Sequence, residues 1–375
     1  MGHAIMTEIL TYLTLMGFWP RSPKSSKASA FLIILSTSFL FFGILFYLIV
    51  NRQFGSSEID SIETITSQFG VLYYLILFTW KRNDIVEIVE LLSDFSKFGK
   101  PPFFDQRSTR LNYRLSCIVL ILIVANIVVA ALPVIYIDSC HKANEQLNLT
   151  KTCGLIAPVW LPFDYNEYPR KHLVFAWEVY CCVMNYVGSG IGALTMVGTM
   201  EHVIIRIEQL KYIFPKILDQ PNPRIREQML KNWVRYHLAL FEIGRLMNDA
   251  YKWSLSVIVL CVGALFACIG ISMLQSTASQ INSICLFFGW FPSIAFLCMW
   301  GQRLLDSSLS VGTAVYSSRW YDMDVAFQKS VLMILIRSQK PIRISVGPFT
   351  HLSMLLLLGV FQSAYSYINL LNATS

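Results

Sequence analysis

Four polar side chains interrupt an apolar C-terminal run: His351, Gln362, Ser366 and Asn369. At about 100° per residue, a single helix would align all four on one narrow stripe, with Leu355 and Leu358 beside them. Two amides, a hydroxyl and an imidazole at this spacing form neither a nucleophile–base pair nor a metal-ligand set; what they do is hydrogen-bond. The stripe therefore faces either water or another helix, and a hydrogen bond between membrane helices is worth only about 1 kcal/mol.

The rest of the chain offers little reaction chemistry. Histidines 3, 141, 172, 202, 237 and 351 are scattered, with no HExxH and no Cys/His pair at ligand spacing. No catalytic residue, metal site or cofactor is expected, and the chain does not read as an enzyme. NYVGSGIGAL (185–194) has the glycines of a phosphate loop, but it lies inside an apolar run where Gly188 and Gly192 form GxxxG, a pattern for close helix packing. Cys181-Cys182 reads as small apolar filling of the same helix. Glu178 is the one ionisable group found within a span, expected to snorkel to the interface, with an anchor inside a cavity as the alternative.

The elements that must position these groups follow from composition. Hydrophobic residues make up 55% of the chain and charged residues 14%, and the mean hydropathy is +0.52, which is membrane-protein composition. Apolar stretches long enough to cross a bilayer fall at 28–50, 59–79, 115–137, 172–200, 253–275, 281–301 and 346–371. The expected fold is therefore an all-α membrane protein with seven transmembrane helices. Of the 30 Lys and Arg residues, 25 fall in the N-terminal segment and the loops near 80–114, 201–252 and 302–343. Basic loops resist translocation, so the N-terminus is expected in the cytoplasm and the C-terminus outside.

This orientation places the long 138–171 loop outside, with a glycosylation acceptor at Asn148, and a second sequon at Asn372. Cys140 and Cys153 share that loop on the oxidising side; they either form a disulfide or remain free thiols, and spacing leaves both open. MGHAIM carries Met6 where a myristoylation site needs Ser or Thr, and no cleavable signal peptide is read in the first 27 residues.

The chain thus divides into a cytoplasmic segment 1–27, four spans over 28–200, helical extensions over 201–252, two spans over 253–301, an anchor helix over 302–345 and the last span at 346–371. Within the extensions, Ile225, Met229, Trp233, Tyr236, Leu240, Ile243 and Met247 recur at steps of three or four after the breaker QPNP (220–223). Val203, Ile204, Ile207 and Leu210 extend the fourth span in the same manner. The expectation is that the two helices project from the membrane and pack, rather than lie flat on anionic lipid.

Aromatic residues concentrate in the outer halves of several spans. A pocket for small apolar molecules is expected there, walled by Phe69, Tyr73, Trp177, Tyr180, Phe288 and Phe291, with Ala130, Val134, Cys181 and Met184 supplying volume. Aromatic interface belts produce the same pattern.

The last 60 residues sharpen this reading. Tyr316, Trp320 and Phe327, then Gln339 and Pro341, then Ser353 and the closing Tyr365-Ser366 resemble the C-terminal signature of the insect odorant receptors. The resemblance implies a ligand-gated, non-selective cation channel in the plasma membrane of olfactory neuron dendrites. It implies a tetramer that includes a shared odorant co-receptor subunit, with a small volatile odorant, membrane lipid and permeating cations as the other partners, and no nucleic acid. It also implies a cytoplasmic anchor and a pore lined by the last span, so that Gln362, Ser366 and Asn369 face the pore and Leu370 or Leu371 closes it by dewetting. Pro341, Gly347 and Pro348 bracket a joint before that span. The alternatives are a gustatory receptor channel of the same superfamily and a seven-span G-protein-coupled receptor, which needs the N-terminus outside. A transporter is a more distant one, for no internal repeat is visible.

Overall fold

The computed structural model describes residues 5–19, 24–50, 56–138, 141–142, 145, 153–165, 167–273 and 277–374, with the side chains of 24–27, 56–58, 60, 277–279, 282 and 370–374 left out. Helices account for nearly all of it: α1 (Thr7–Met16), α2 (Lys24–Val50), α3 (Ser56–Trp80), α4 (Arg82–Ser93), α5 (Phe104–Ile135), α6 (Arg170–Leu218), α7 (Pro223–Ser272), α8 (Thr277–Tyr316), α9 (Val325–Ser338) and α10 (Met354–Thr374). Among the described residues, six helices are long and apolar enough to cross a membrane: α2, α3, α5, α6, α7 and α8. They correspond to the first six expected spans, and α10 to the seventh.

α6 has 49 residues and α7 has 50. At 1.5 Å per residue each is about 75 Å long, more than twice the roughly 30 Å hydrocarbon core, so each must project. The projecting parts pack on each other as the stripe predicts. Trp233, Tyr236, Leu240, Ile243 and Met247 are buried, as are Val203, Ile204, Ile207 and Leu210. Trp233 Nε1 donates to the Leu210 carbonyl at 2.9 Å and the Tyr236 hydroxyl to Gln209 Oε1 at 2.6 Å. Only Ile225, at the free end of the stripe, is exposed. The Asn222 side chain caps α7 by accepting from the Arg224 and Ile225 amides, with Pro223 at the first helical position.

Two features depart from the expected layout. The N-terminal segment is a structural element: α1 buries Ile9, Leu10 and Leu13 in the core, and Phe18 stacks edge-on against Phe78 of α3. α1 lies along α6, with Met16 facing Gly188 and Met6 facing Gly198, and glycine is what lets the backbones approach. Gly192 presses on Tyr74 of α3 in the same way, so the GxxxG run packs helices.

The last helix begins at Met354, not at 346. Residues Ser345–Val346 and Thr350–His351 instead form a two-strand hairpin turned at Gly347, whose φ is 57°. His351 therefore sits in a strand, outside the helical stripe expected for it. The hairpin is held between α7 and α8: the Ser345 amide donates to Asn248 Oδ1 at 2.7 Å and the Ile342 amide to Ser308 Oγ at 3.0 Å. Pro341 and Pro348 lack the amide a continuous helix needs, which is why the chain breaks there.

Candidate ligand and pore site

Between α2, α3, α6 and α8, toward the end of the bundle that carries the 153–165 loop, lies a buried hydrogen-bonded cluster. Asn185 Nδ2 donates to Gln68 Oε1 at 3.2 Å, and the Thr37 hydroxyl donates to Asn185 Oδ1. Trp290 Nε1 donates to Ser67 Oγ at 2.9 Å, and the Ser67 and Tyr186 hydroxyls lie 2.8 Å apart. Thr37, Ser67, Gln68 and Asn185 are all buried. In a dry bundle such groups must satisfy one another, and the result is a polar wall held by four separate helices. A Cβ on Gly70 would lie 3.3 Å from the Cys261 Cβ and 3.5 Å from the Trp290 ring, so that glycine lets α7 and α8 close on α3.

The expected pocket residues do not converge on one cavity. Cys181 and Ala130 are buried, and Tyr73, Trp177, Met184 and Phe291 are half-buried. Phe69, Tyr180, Val134 (53%) and Phe288 (67%) are exposed on the bundle's outer surface. Helical geometry explains Phe288: it stands two residues, about 200°, from Trp290, so the buried indole forces the phenyl ring outward. Val134 lies on α5, the least enclosed span, where 11% of the most apolar window is buried. Cys181 packs with Leu40, Ile44, Ala157 and Val159, and Trp177 packs against that cluster. Trp177 also borders an open apolar groove of about 760 Å³ against Phe39, Phe42, Phe46 and Trp160. Phe291 stacks on Phe287 at 5.3 Å and meets Phe361 of α10 at 5.8 Å, while Phe266 of α7 stacks on Phe361 at 5.5 Å. An aromatic chain thus links α8 and α7 to the last helix.

Glu178 does not snorkel. It is buried, and one carboxylate oxygen accepts from the Ile156 amide at 2.8 Å, pinning the 153–165 loop onto α6. The loop folding back over the helix end removes the water that snorkelling requires. Glu63 of α3, which the sequence reading passed over, is a second buried carboxylate; Ser283 donates to its two oxygens at 3.1 and 2.9 Å and Ser272 adds a third hydroxyl contact. Its serine partners come from α7 and α8, more than two hundred residues away in sequence, so periodicity alone gave no signal for it.

α10 has two distinct faces. Leu357, Val360 and Ala364 are buried, Phe361 and Ile368 half-buried, and this side packs against α7 and α8. Leu355, Leu358, Gln362, Ser366 and Asn369 are exposed on the opposite side, with Ser366 Oγ donating to the Gln362 carbonyl at 2.9 Å. The polar stripe, without His351, is uncovered in the single chain. The side chains of Leu370 and Leu371 lie outside the described residues, as do Cys140 and Asn148. Cys153 is disulfide-bonded, and the seven other described cysteines are free.

Six helices fit to cross a bilayer, polar groups buried between them and a last helix with one uncovered polar face define a multi-span, all-helical membrane protein. The chain belongs to the insect odorant receptor family: the family model described as 7tm Odorant receptor matches residues 57–365. This is a family of receptors, not of enzymes. Among curated relatives, odorant receptor 85c of Drosophila melanogaster is 21% identical, over 94% of this chain and 92% of that protein. Odorant receptor 67c of the same species is 24% identical, but the match covers 58% of this chain and 54% of that protein. The odorant receptor coreceptor of Ooceraea biroi is 26% identical over 42% of this chain and 34% of that protein. The structure of the olfactory receptor OR5 from Machilis hrabei in complex with eugenol superposes with a TM-score of 0.82 at 14% identity, covering 99% of this chain and 98% of that one. That likeness carries the fold.

Proposed function

We propose that this chain is the ligand-tuned subunit of an odorant-gated, non-selective cation channel, in which α10 lines a central pore. The observation that carries the reading is the division of α10. One face is packed against α7 and α8, and Gln362, Ser366 and Asn369 stand exposed on the other, which no neighbour covers among the described residues. Amide and hydroxyl groups facing lipid would each lose hydrogen bonds, whereas a water-filled axis satisfies them. Leu370 or Leu371, directly after Asn369, supplies the constriction. The family's C-terminal signature and the charge bias support an N-terminus in the cytoplasm and a C-terminus outside the cell, in the plasma membrane of an olfactory neuron dendrite.

The ligand is a small, mainly apolar volatile molecule seated among α3, α5, α6 and α8. The polar wall of Ser67, Tyr186, Asn185 and Trp290 supports one hydrogen-bonded contact inside an otherwise apolar site, and eugenol, bound by the Machilis receptor, is a fitting first probe. The Phe287–Phe291–Phe361 chain offers a mechanical path from that region to the pore helix. Gating then follows from the ligand's stronger contacts in the open state. Cys153 pairs with Cys140 across the outer loop, and Asn148 beside them is glycosylated.

Subunits meet through α9, whose Val325, Leu332, Met333 and Ile336 are exposed on one side, and the partner is a co-receptor subunit. The test is odorant-evoked current in cells expressing the chain with and without the co-receptor, using single cysteines at Gln362, Ser366 and Asn369. A charged thiol reagent applied during stimulation is expected to reduce current at these three positions and not at Val360 or Ala364. Equal insensitivity at all five positions would overturn the pore assignment.

A further inference from the structure

A second groove, of about 470 Å³, opens between α5, α6 and α8 at the opposite end of the bundle from the 153–165 loop. Its lining changes character at one level on all three helices. On α5, Leu111, Leu115 and Ile118 share a face with Arg107, Arg110 and Arg114; α6 passes from Leu194 and Val197 to Glu201; and α8 passes from Phe296 and Trp300 to Arg303. Each transition falls where an apolar span ends, so the charged groups mark one membrane–water boundary and the apolar groups run from it into the hydrocarbon.

The charge on this rim is unbalanced. Four guanidinium groups face one carboxylate, Glu201. Arg107 and Arg303 bind Glu201 at 3.0 and 3.2 Å, and Glu208, from outside the groove, takes a second contact with Arg107. Trp300 Nε1 also donates to Glu201, at 3.1 Å. Arg110 and Arg114 are exposed, and among the described residues no carboxylate pairs with either. Two unpaired arginines above an apolar slot match a phosphate joined to an acyl chain, because a guanidinium binds phosphate oxygens in a bidentate fork. The face also meets lipid: α5 is the least buried of the six candidate spans.

We infer that this groove binds an anionic phospholipid, its phosphate held by Arg110 and Arg114 and one acyl chain lying along Leu115, Ile118 and Phe296. The assignment of that lipid to the cytoplasmic leaflet rests on the orientation proposed above; binding itself does not. The site ties α5, which packs on α6 and α1, to α8, which packs on α10, so an occupied groove holds the periphery of the bundle to the element next to the proposed pore.

The experiment is native mass spectrometry of the full-length, purified chain, titrated with phosphatidylserine or phosphatidylcholine of identical acyl chains. Retention of one phosphatidylserine in preference to phosphatidylcholine is expected. Arg110→Gln with Arg114→Gln should weaken phosphatidylserine retention about 30-fold, two charges at the strength of basic groups near an anionic surface. Arg319→Gln with Arg343→Gln, two exposed arginines elsewhere, should leave it unchanged. Among the described residues neither arginine of the first pair has a protein partner to lose, so that variant should elute from size-exclusion like the parent; if it does not, Ile118→Trp, which fills the slot, replaces it and should abolish the preference. Equal retention of the two lipids, an unchanged count in the variant that folds, or displacement of the lipid by millimolar inorganic phosphate would each overturn the inference. A change in subunit number with lipid retention unaltered would assign the face to a protein contact instead and also overturn it.

Discussion

The proposed assembly through α9 has the most direct consequence. Leu332, Met333 and Ile336 are 48%, 71% and 62% exposed, while Phe327, Val331 and Ile334 on the other side of the same helix are buried. An amphipathic helix that packs its first face within the subunit and leaves a second apolar face bare needs a partner for it. Covering Leu332 and Ile336 to the extent they are now open contributes about 1 kcal/mol each. Leu332→Asp with Ile336→Asp removes that contribution and adds the desolvation of two carboxylates, about 1 to 3 kcal/mol apiece. The combined cost, about 5 kcal/mol per interface, corresponds to a weakening of more than about 1,000-fold. The isolated fold should be nearly untouched, since neither residue is enclosed by its own chain. The assay is fluorescence-detected size-exclusion of the tagged chain co-expressed with the co-receptor, with mass photometry of the peak. A shift from tetramer to monomer with an unchanged melting temperature is expected. A tetramer of unaltered mass and stability would refute the assignment of this face to subunit contact.

Two further outcomes follow from the same structure. An epitope tag after Ser375 should be stained on intact cells and one before Met1 only after permeabilisation; the reverse pattern would refute the proposed orientation. Asn185→Leu leaves the Gln68 side-chain oxygen without its donor inside a dry bundle, while the Thr37 hydroxyl keeps the Ile33 carbonyl at 2.6 Å. The expected loss of about 1 to 3 kcal/mol should lower the thermal midpoint of detergent-solubilised protein by roughly 2 to 6 °C, and a midpoint at or above the parent's would show that the cluster does not hold the helices together.

Much of this fold was legible before any coordinates, because membrane insertion is governed by local hydropathy. Each of the first six expected membrane segments falls almost wholly within one helix, several of which run well beyond it, and the α7 stripe from Trp233 to Met247 is buried as its period requires. The faces of α10 were legible for the same reason: within one helix, sequence spacing is angular position. Groups whose partners are distant in sequence were not. Ser67, Asn185 and Trp290 come from three helices, and nothing in any one of them announces that they meet.

Sequence alone therefore determined that the chain is a multi-span helical protein, where the apolar segments lie, and which residues of the last helix share a side, because each depends on interactions with solvent or with residues a few positions away. Tertiary structure decided which side of each helix faces its neighbours. It turned Trp290 inward and Phe288 out, enclosed Glu178 beneath a loop, drew α1 into the core and started α10 at Met354 after a hairpin. In a bundle where every span is apolar on all sides, hydrophobicity cannot choose between lipid and protein; steric fit and the pairing of scarce polar groups make that choice.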